Sequence, residues 1–388
     1  MKTILDFDIS KKIVIIRCDL NVTVIDGKIV DDTRILSSIE SIKYILDNGG
    51  KAIILSHFGK VKEDSDKKKY SLNIVYDRLK ELMPNVSFCD SLDFNEIKEF
   101  VEKKNYGDAI LLENTRFYDL DGKLESNCEE KLYKFYSSLG DIFILDAFGS
   151  LHRKHASTYG ISLCLPTGIG FLVKKELENL NILFSDKHPF VVIMGGAKIS
   201  DKLKVIKSLI DKVDMLLIGG AMANTFLVAL GYNLGISIYE EEMVSYCKEL
   251  LDKYKDKIVL PVDFYGTYEY DNLDKKYISL DNFDSNLMCL DIGDKTVDIF
   301  KNKLKNSKMI FWNGPLGVSD FSNYSYGTKE VLDFLSKMDA TIVLGGGDIV
   351  GACKNLGYEN IGFLSTGGGA TLDYLADKDL VCLENIGD

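Results

Sequence analysis

The residues of this chain best suited to chemistry lie in short polar or glycine-rich motifs rather than scattered singly. The first half carries Cys18-Asp19-Leu20-Asn21, Ser56-His57-Phe58-Gly59-Lys60, Glu113-Asn114-Thr115-Arg116 and the stretch around His152, Arg153 and His155. The second half carries Gly195-Gly196-Ala197-Lys198, Gly219-Gly220, Asn313-Gly314-Pro315, Gly345-Gly346-Gly347-Asp348 and Thr366-Gly367-Gly368-Gly369. Glycine after a buried strand lets backbone approach a ligand, and free N–H groups at a helix start attract anions. A tight turn would account for any single cluster. Several in one half of the chain, with Lys198 and Lys202 beside one of them, predict a polyphosphate site. The sequence contains neither GxxxxGK[ST] nor GxGxxG, so the standard nucleotide fingerprints are absent.

Arginine is scarce. There are five (Arg17, Arg34, Arg78, Arg116 and Arg153) among 47 basic residues, and none follows residue 153. Arg34, Arg116 and Arg153 fall on or beside the polar motifs, Arg17 precedes Asp19, and only Arg78 sits in a plain helical pattern. A guanidinium fork matches phosphate and carboxylate bidentately, so these positions predict a small, multiply charged anion; surface ion pairing is the alternative. His57 could be a general base, a metal ligand or a neutral donor to such an anion. His152 and His155 read first as structural hydrogen-bonders. No Ser/His/Asp or Cys/His set with an elbow motif is evident, which disfavours covalent nucleophilic catalysis. An anion site in one half and a polyphosphate site in the other suit direct phosphoryl transfer, which needs positioning and charge neutralisation.

These motifs must be held by something. Short apolar runs alternate with amphipathic stretches along the whole chain. Strands are expected at 12–17, 51–55, 85–88, 109–112, 141–145, 190–194, 215–218, 257–260, 308–312, 341–344 and 361–364. Helices are expected at 33–46, 202–213, 240–254 and 325–336 among others. Strand then helix, repeated, implies parallel sheets covered on both faces; one sheet that wide is improbable, so two α/β domains follow. Ligands of such sheets bind at the carboxyl ends of the strands, where the motifs lie. The charged segment 171–180 would suit a rigid connector, and the lysine-rich 60–70 a solvated loop.

At 388 residues the chain is too long for one ordinary core. Its 46% hydrophobic and 27% charged content is that of a folded globular protein. A formal net charge of −12 disfavours nucleic acid or an anionic membrane as partner. The uncharged run Met215–Tyr239 is broken by glycines and asparagines and reads as strand, turn, helix and loop rather than a membrane span. Asp6 and Asp8 interrupt any signal-like start, and the eight scattered cysteines show no metal spacing; both fit a cytoplasmic protein with reduced thiols.

At these residues the sequence resembles the phosphoglycerate kinase family. The matching motifs are IRCDLNV (16–22), DDTRI (31–35), SHFGK (56–60), LLENTRF (111–117), DAFGSLHRKHAS (146–157), FLVKKELENL (171–180), VIMGGAKISDK (192–202), GGAMANTFL (219–227), WNGPLGV (312–318), GGGD and STGGGATL (365–372). They run in family order along essentially the whole chain. The resemblance implies two Rossmann-like, doubly wound domains that close like a hinge. Residues 1–170 would hold the glycerate, 171–185 connect, 186–370 hold the nucleotide, and 371–388 return to the first domain. It implies reversible, Mg2+-dependent transfer from 1,3-bisphosphoglycerate to ADP, with no covalent cofactor, by a cytoplasmic monomer. Asp19, Asn21, Arg34, His57, Phe58, Gly59, Lys60, Arg116 and Arg153 would surround the glycerate. Lys198, Lys202, Gly219, Asn313, Asp320, Gly345, Gly346, Gly347, Asp348, Ile349, Gly367 and Gly368 would face the nucleotide. Arg34, Lys198, Lys202 and Gly369 would act on the transferring group, and Asp348 would meet the magnesium.

Three positions depart from the family pattern: Lys60-Val61 where it usually reads Arg-Pro, Asp320 where it has glutamate, and Ile349 where it has Ser or Thr. They motivate a second reading, a weakened paralogue kept as a binding module. A two-domain dinucleotide-dependent dehydrogenase shares the α/β pattern but lacks its fingerprint.

Overall fold

The structure, a computed structural model, describes residues 1–271, 274–358 and 360–387. The chain divides into two compact units: Met1–Glu178 together with the chain from Asp379 onward, and Asn179–Lys378.

Unit 1 is built on a six-stranded parallel sheet. Its strands are β1 (Ile13–Cys18), β4 (Lys51–Leu55), β5 (Val86–Cys89), β6 (Ala109–Leu112), β7 (Ile142–Asp146) and β8 (Thr167–Ile169), in the order β5-β6-β4-β1-β7-β8. A small antiparallel hairpin, β2 (Thr23–Ile25) and β3 (Lys28–Asp31), stands apart. Every residue of β4 and β7 is buried, as expected of strands covered on both faces. The helix Thr33–Asp47 buries Ile35, Ile42 and Ile45, which recur at helical spacing, against this sheet.

Asp146, at the end of β7, fastens the next long helix, Phe171–Asn181. Its Oδ1 accepts the N–H groups of Leu172 (2.9 Å) and Val173 (3.3 Å). Chain from 379 onward is tied into unit 1. The Cys382 N–H donates to the Leu151 carbonyl (3.1 Å), Asn385 Nδ2 to Ser162 Oγ (3.1 Å), and the Lys2 N–H to the Gly387 carbonyl (2.9 Å).

Unit 2 repeats the plan. Its parallel sheet holds β9 (Phe190–Met194), β10 (Met215–Ile218), β11 (Ile258–Val259), β15 (Met309–Asn313), β16 (Thr341–Gly345) and β17 (Phe363–Ser365), in the order β11-β10-β9-β15-β16-β17. The eleven expected strands are all present, shifted by a residue or two at most ends. The sequence reading missed the second sheet of this unit: β12 (Asp263–Thr267), β13 (Lys276–Ser279) and β14 (Met288–Ile292), antiparallel in the order β13-β12-β14. Polar residues and a glycine break β12 and β13, and only the short run Leu287–Leu290 leading into β14 is continuously apolar. Met215–Tyr239 folds as β10, a turn, the helix Met222–Ala229 and a loop, and no described helix is long and apolar enough to cross a membrane.

Candidate functional site

Each parallel sheet has a switch point where the strand order reverses, between β1 and β7 in unit 1 and between β9 and β15 in unit 2. The motifs gather at the carboxyl ends beside these points.

In unit 1, Asp19 follows β1 directly and is 4% exposed. Its Oδ2 accepts Arg34 Nη1 at 2.6 Å, so the helix start at Thr33 and the strand end at Cys18 are clamped by one ion pair. Asn21 Oδ1 accepts the Gly59 N–H (2.8 Å). Asn114, fully buried, organises the loop after β4. It accepts the N–H groups of Phe58 and Arg116, both at 3.1 Å, and donates to the carbonyls of Phe58 (2.7 Å) and Tyr70 (2.9 Å). Gly59 has φ +60, and a Cβ there would run into the Tyr70 ring, so both backbone and space demand glycine. The Gly59 carbonyl accepts from Arg116 Nη1. Asp19, Asn21, Arg34, Gly59 and Arg116 are thus linked pairwise, whereas Lys60 and Arg153 stand exposed on the same rim.

The field at this rim is strongly positive. Burial, then Arg153 and Arg17, lower the proton affinity of Arg116. Burial and Arg17, Arg116 and Arg34 hold His57 well below the usual histidine range. His155, whose Nδ1 lies 3.9 Å from Glu125 Oε1, is pulled down to about 4 by burial and by Arg17, Arg153 and Arg116. His152 accepts from Arg153 Nε at 2.9 Å, a structural contact of the kind expected for it. Arg78 is the surface ion-paired arginine: it meets Asp32 (2.9 Å) and Glu81. Arg17 departs from the expected open anion binder. It is 1% exposed, and its nitrogens are spent on Ser157, His57 and the Cys18 carbonyl.

In unit 2 the glycines serve two distinct purposes. Gly195, Gly220 and Gly314 pack backbone on backbone where β9 and β15 end, with the Gly195 N–H donating to the Asn313 carbonyl and the Gly196 N–H to that of Pro315, both at 2.8 Å. Gly219 and Gly345 are likewise closely packed, against Leu316 and against Phe311 with Thr371. Gly347 and Gly368, by contrast, face open space at the starts of the helices Gly347–Asn355 and Gly369–Asp377, where unpaired N–H groups are available to an anion. Gly346 (φ +111) and Gly368 (φ +54) adopt backbone that L side chains avoid.

Lys202 donates through Nζ to Asn313 Oδ1, while Asn313 Nδ2 donates to the Gly345 carbonyl. Burial lowers the proton affinity of Lys202, opposed by the Asp348 and Asp201 carboxylates. Lys198, Asp320 and Asp348 are exposed on the rim. The Ile349 side chain belongs to the unit 2 core, leaving only its N–H to serve a ligand. Gly367 is buried, its N–H on Ser365 Oγ (3.3 Å).

A cavity of about 520 Å³ opens beside this rim. Gly196, Gly220, Val318, Asp320, Gly347 and Asp348 line it, together with residues that sequence reasoning did not single out: Ile238, Phe264, Tyr270, Met288 and Leu290. Several come from the missed antiparallel sheet, which supplies an apolar wall able to take a flat ring. The short apolar run Leu287–Leu290, which leads into β14, was the available signal.

Two parallel-sheet units, one presenting an arginine rim and the other glycine-flanked helix starts with a lysine, define an α/β protein whose strand ends are chemically suited to phosphorylated ligands. The phosphoglycerate kinase family profile matches residues 4–378. Phosphoglycerate kinase of Lactobacillus acidophilus is 46% identical over 99% of this chain and 98% of its own length. That of Enterococcus faecalis is 45% identical over 100% and 99%. Among solved structures, phosphoglycerate kinase from Coxiella burnetii superposes with a TM-score of 0.86 at 31% identity, covering 99% of this chain and 98% of the other. The enzyme from Pyrococcus horikoshii gives 0.87 at 30%, covering 100% and 98%. The chain belongs to the phosphoglycerate kinase family and is an enzyme, a phosphotransferase.

Proposed function

We propose that this chain catalyses the family reaction, phosphoryl transfer from 1,3-bisphosphoglycerate to ADP giving 3-phosphoglycerate and ATP, in line and with Mg2+, with the residues named above in the roles the motifs imply. The observation that carries the assignment of roles is the chemical contrast between the rims. Unit 1 concentrates Arg34 and Arg116 around a histidine held well below its usual range, with Arg153 beside Arg116, a surface for a compact polyanion. Unit 2 offers open helix starts, a half-buried lysine and an apolar cavity, a surface for a nucleotide.

In the catalytic state the two rims must meet, by hinge closure about the connecting helix, and closure expels water that would otherwise hydrolyse the acyl phosphate. Arg116 and Arg153 bind the glycerate end, Asn21 orders the Gly59 loop, and Arg34, steadied by Asp19, faces the transferring group. Lys202 and the helix N–H groups at Gly347 and Gly369 balance charge on its equatorial oxygens. Asp348 offers one hard carboxylate oxygen at the cavity edge, which suits Mg2+, an ion held mostly by waters and substrate phosphates. Bound there, Mg2+ would screen the nucleotide phosphates. The working form is read as a cytoplasmic monomer acting on small molecules, with neither nucleic acid nor membrane as partner.

A coupled assay with ADP and 1,3-bisphosphoglycerate tests the reading. Activity should require Mg2+ and fall by about 100-fold or more in Lys202→Ala and in Arg34→Ala. Wild-type-like turnover in either variant removes that residue from the mechanism. Binding of 3-phosphoglycerate without any turnover would favour the binding-module reading.

A further inference from the structure

One arginine of the cationic rim is buried, with each of its nitrogens already meeting a partner within the protein. Arg17 lies in β1, 1% exposed, between two halves of a buried network. On one side its Nε donates to Ser157 Oγ at 3.0 Å. Ser157 in turn donates to Glu125 twice, through Oγ to Oε1 and through its N–H to Oε2 at 3.1 Å, and Glu125 is itself 1% exposed. Arg17 Nη1 donates to the Cys18 carbonyl. On the other side its Nη2 lies 3.0 Å from Nδ1 of His57.

A guanidinium has only donors and stays protonated in proteins. Nδ1 of His57 must therefore accept, which leaves the ring proton on Nε2. The charged and titratable groups facing His57 are Arg17 from β1, Arg34 from the helix Thr33–Asp47, Arg116 from the turn after β6, and His155. All four oppose a second proton on the ring.

We infer that Arg17 is a positioning residue: anchored by Glu125 and Ser157, it fixes the Nε2–H tautomer of His57, which then serves the glycerate site as a hydrogen-bond donor and not as a base. The inference rests on the proposal that His57 contacts the glycerate. It predicts that glycerate binding carries no titration of His57 across neutral pH, because that ring donates the same proton throughout.

15N NMR of the full-length enzyme labelled at histidine tests it, with His57 assigned by His57→Gln. Nδ1 should show the shift of an unprotonated ring nitrogen and Nε2 that of a protonated one, unchanged from about pH 8 to about pH 5.5. In Arg17→Gln the tautomer preference should relax, His57 should titrate nearer its ordinary value of about 6.5, and KM for 3-phosphoglycerate should gain a step there. Should Arg17→Gln fail to fold, two His57 variants decide. Gln places its amide N–H near the Nε2 position and Asn near Nδ1, so His57→Gln should hold KM within about threefold while His57→Asn raises it about tenfold or more. A proton on Nδ1 in the wild type, an unchanged KM–pH profile in Arg17→Gln, or equal losses in the two His57 variants would overturn the inference. His57 signals indifferent to saturating 3-phosphoglycerate would instead overturn the glycerate-rim reading, and with it the donor role, while the tautomer assignment stood.

Discussion

Replacing Asn313 by alanine tests how unit 2 aims its lysine. Asn313 is 2% exposed and uses both ends of its amide: Oδ1 accepts from Lys202 Nζ and Nδ2 donates to the Gly345 carbonyl. The same side chain stands directly against Gly346, which holds φ +111 at the start of the helix Gly347–Asn355. Truncation leaves one buried carbonyl without its donor, worth about 1–3 kcal/mol, and removes a charge-assisted bond worth about 1.5–3 kcal/mol. Water entering the space recovers part of this, so a net destabilisation of about 2 kcal/mol is expected in urea unfolding.

Function should suffer through Lys202. Freed from its acceptor, the ammonium samples rotamers that point away from the rim. A fall in kcat of about 10- to 100-fold corresponds to about 1.4–2.7 kcal/mol of lost transition-state stabilisation. KM for ADP should move less than about threefold, since the apolar wall of Phe264, Met288 and Leu290 is untouched. A double-mutant cycle with Lys202→Ala in stability measurements isolates the pair and should show coupling of about 1 kcal/mol or more. Additive effects in that cycle, or kcat within twofold of wild type, would refute the claim that Asn313 aims Lys202.

Three further outcomes are expected. Lys60→Arg restores a planar fork at an exposed rim position and should lower KM for 3-phosphoglycerate by up to about fivefold, close to 1 kcal/mol, with kcat little changed; an unchanged KM would place residue 60 outside the contact. Gly59→Ala combines a left-handed φ of +60 with a clash against the Tyr70 ring, and it should lower stability by about 2 kcal/mol and raise KM through the Gly59–Arg116 contact, as thermal unfolding and kinetics would record. Burial pushes the Asp146 carboxyl up to about 7, so the folded chain keeps a proton that the unfolded chain sheds near its ordinary value of 3.8. The stability it contributes is complete below that ordinary value and is lost as pH rises through about 7, by at most about 4 kcal/mol. Urea unfolding from pH 5 to pH 8 should show this slope together with those of Glu125 and Asp291, which burial also raises to about 7, and Asp146→Asn, which can still accept from Leu172 and Val173, should reduce it by the share of one proton; an identical slope in the variant would count against the buried proton.

Much of the architecture was legible because it depends on local patterns. Runs such as Ala52–Leu55 and Phe190–Met194 are apolar throughout, as a strand covered on both faces requires, and both became central strands. The missed sheet β12–β14 is antiparallel and carries Asp263, Tyr265 and Asp291 among its apolar residues, so apart from the short run Leu287–Leu290 its pattern looks like loop until its partners are known. Arg17 shows the same limit at a single residue. Spacing put it with the rim arginines, but its direction followed from Ser157, 140 residues away.

By itself the sequence determined the alternation of strands and helices, the placing of glycines and basic residues at strand ends, and motifs specific enough to indicate the family. Those properties are set by residue type and near-neighbour spacing, which folding does not alter. Tertiary structure decided which glycines face open space and which merely pack, as with Gly347 against Gly195. It also decided that Asn313 holds Lys202, that Ile349 turns into the core, and that Arg17 meets His57 rather than a ligand. Each of these depends on atoms brought together from distant parts of the chain. Burial then fixes which hydrogen bonds must be satisfied within the protein and which remain for a substrate.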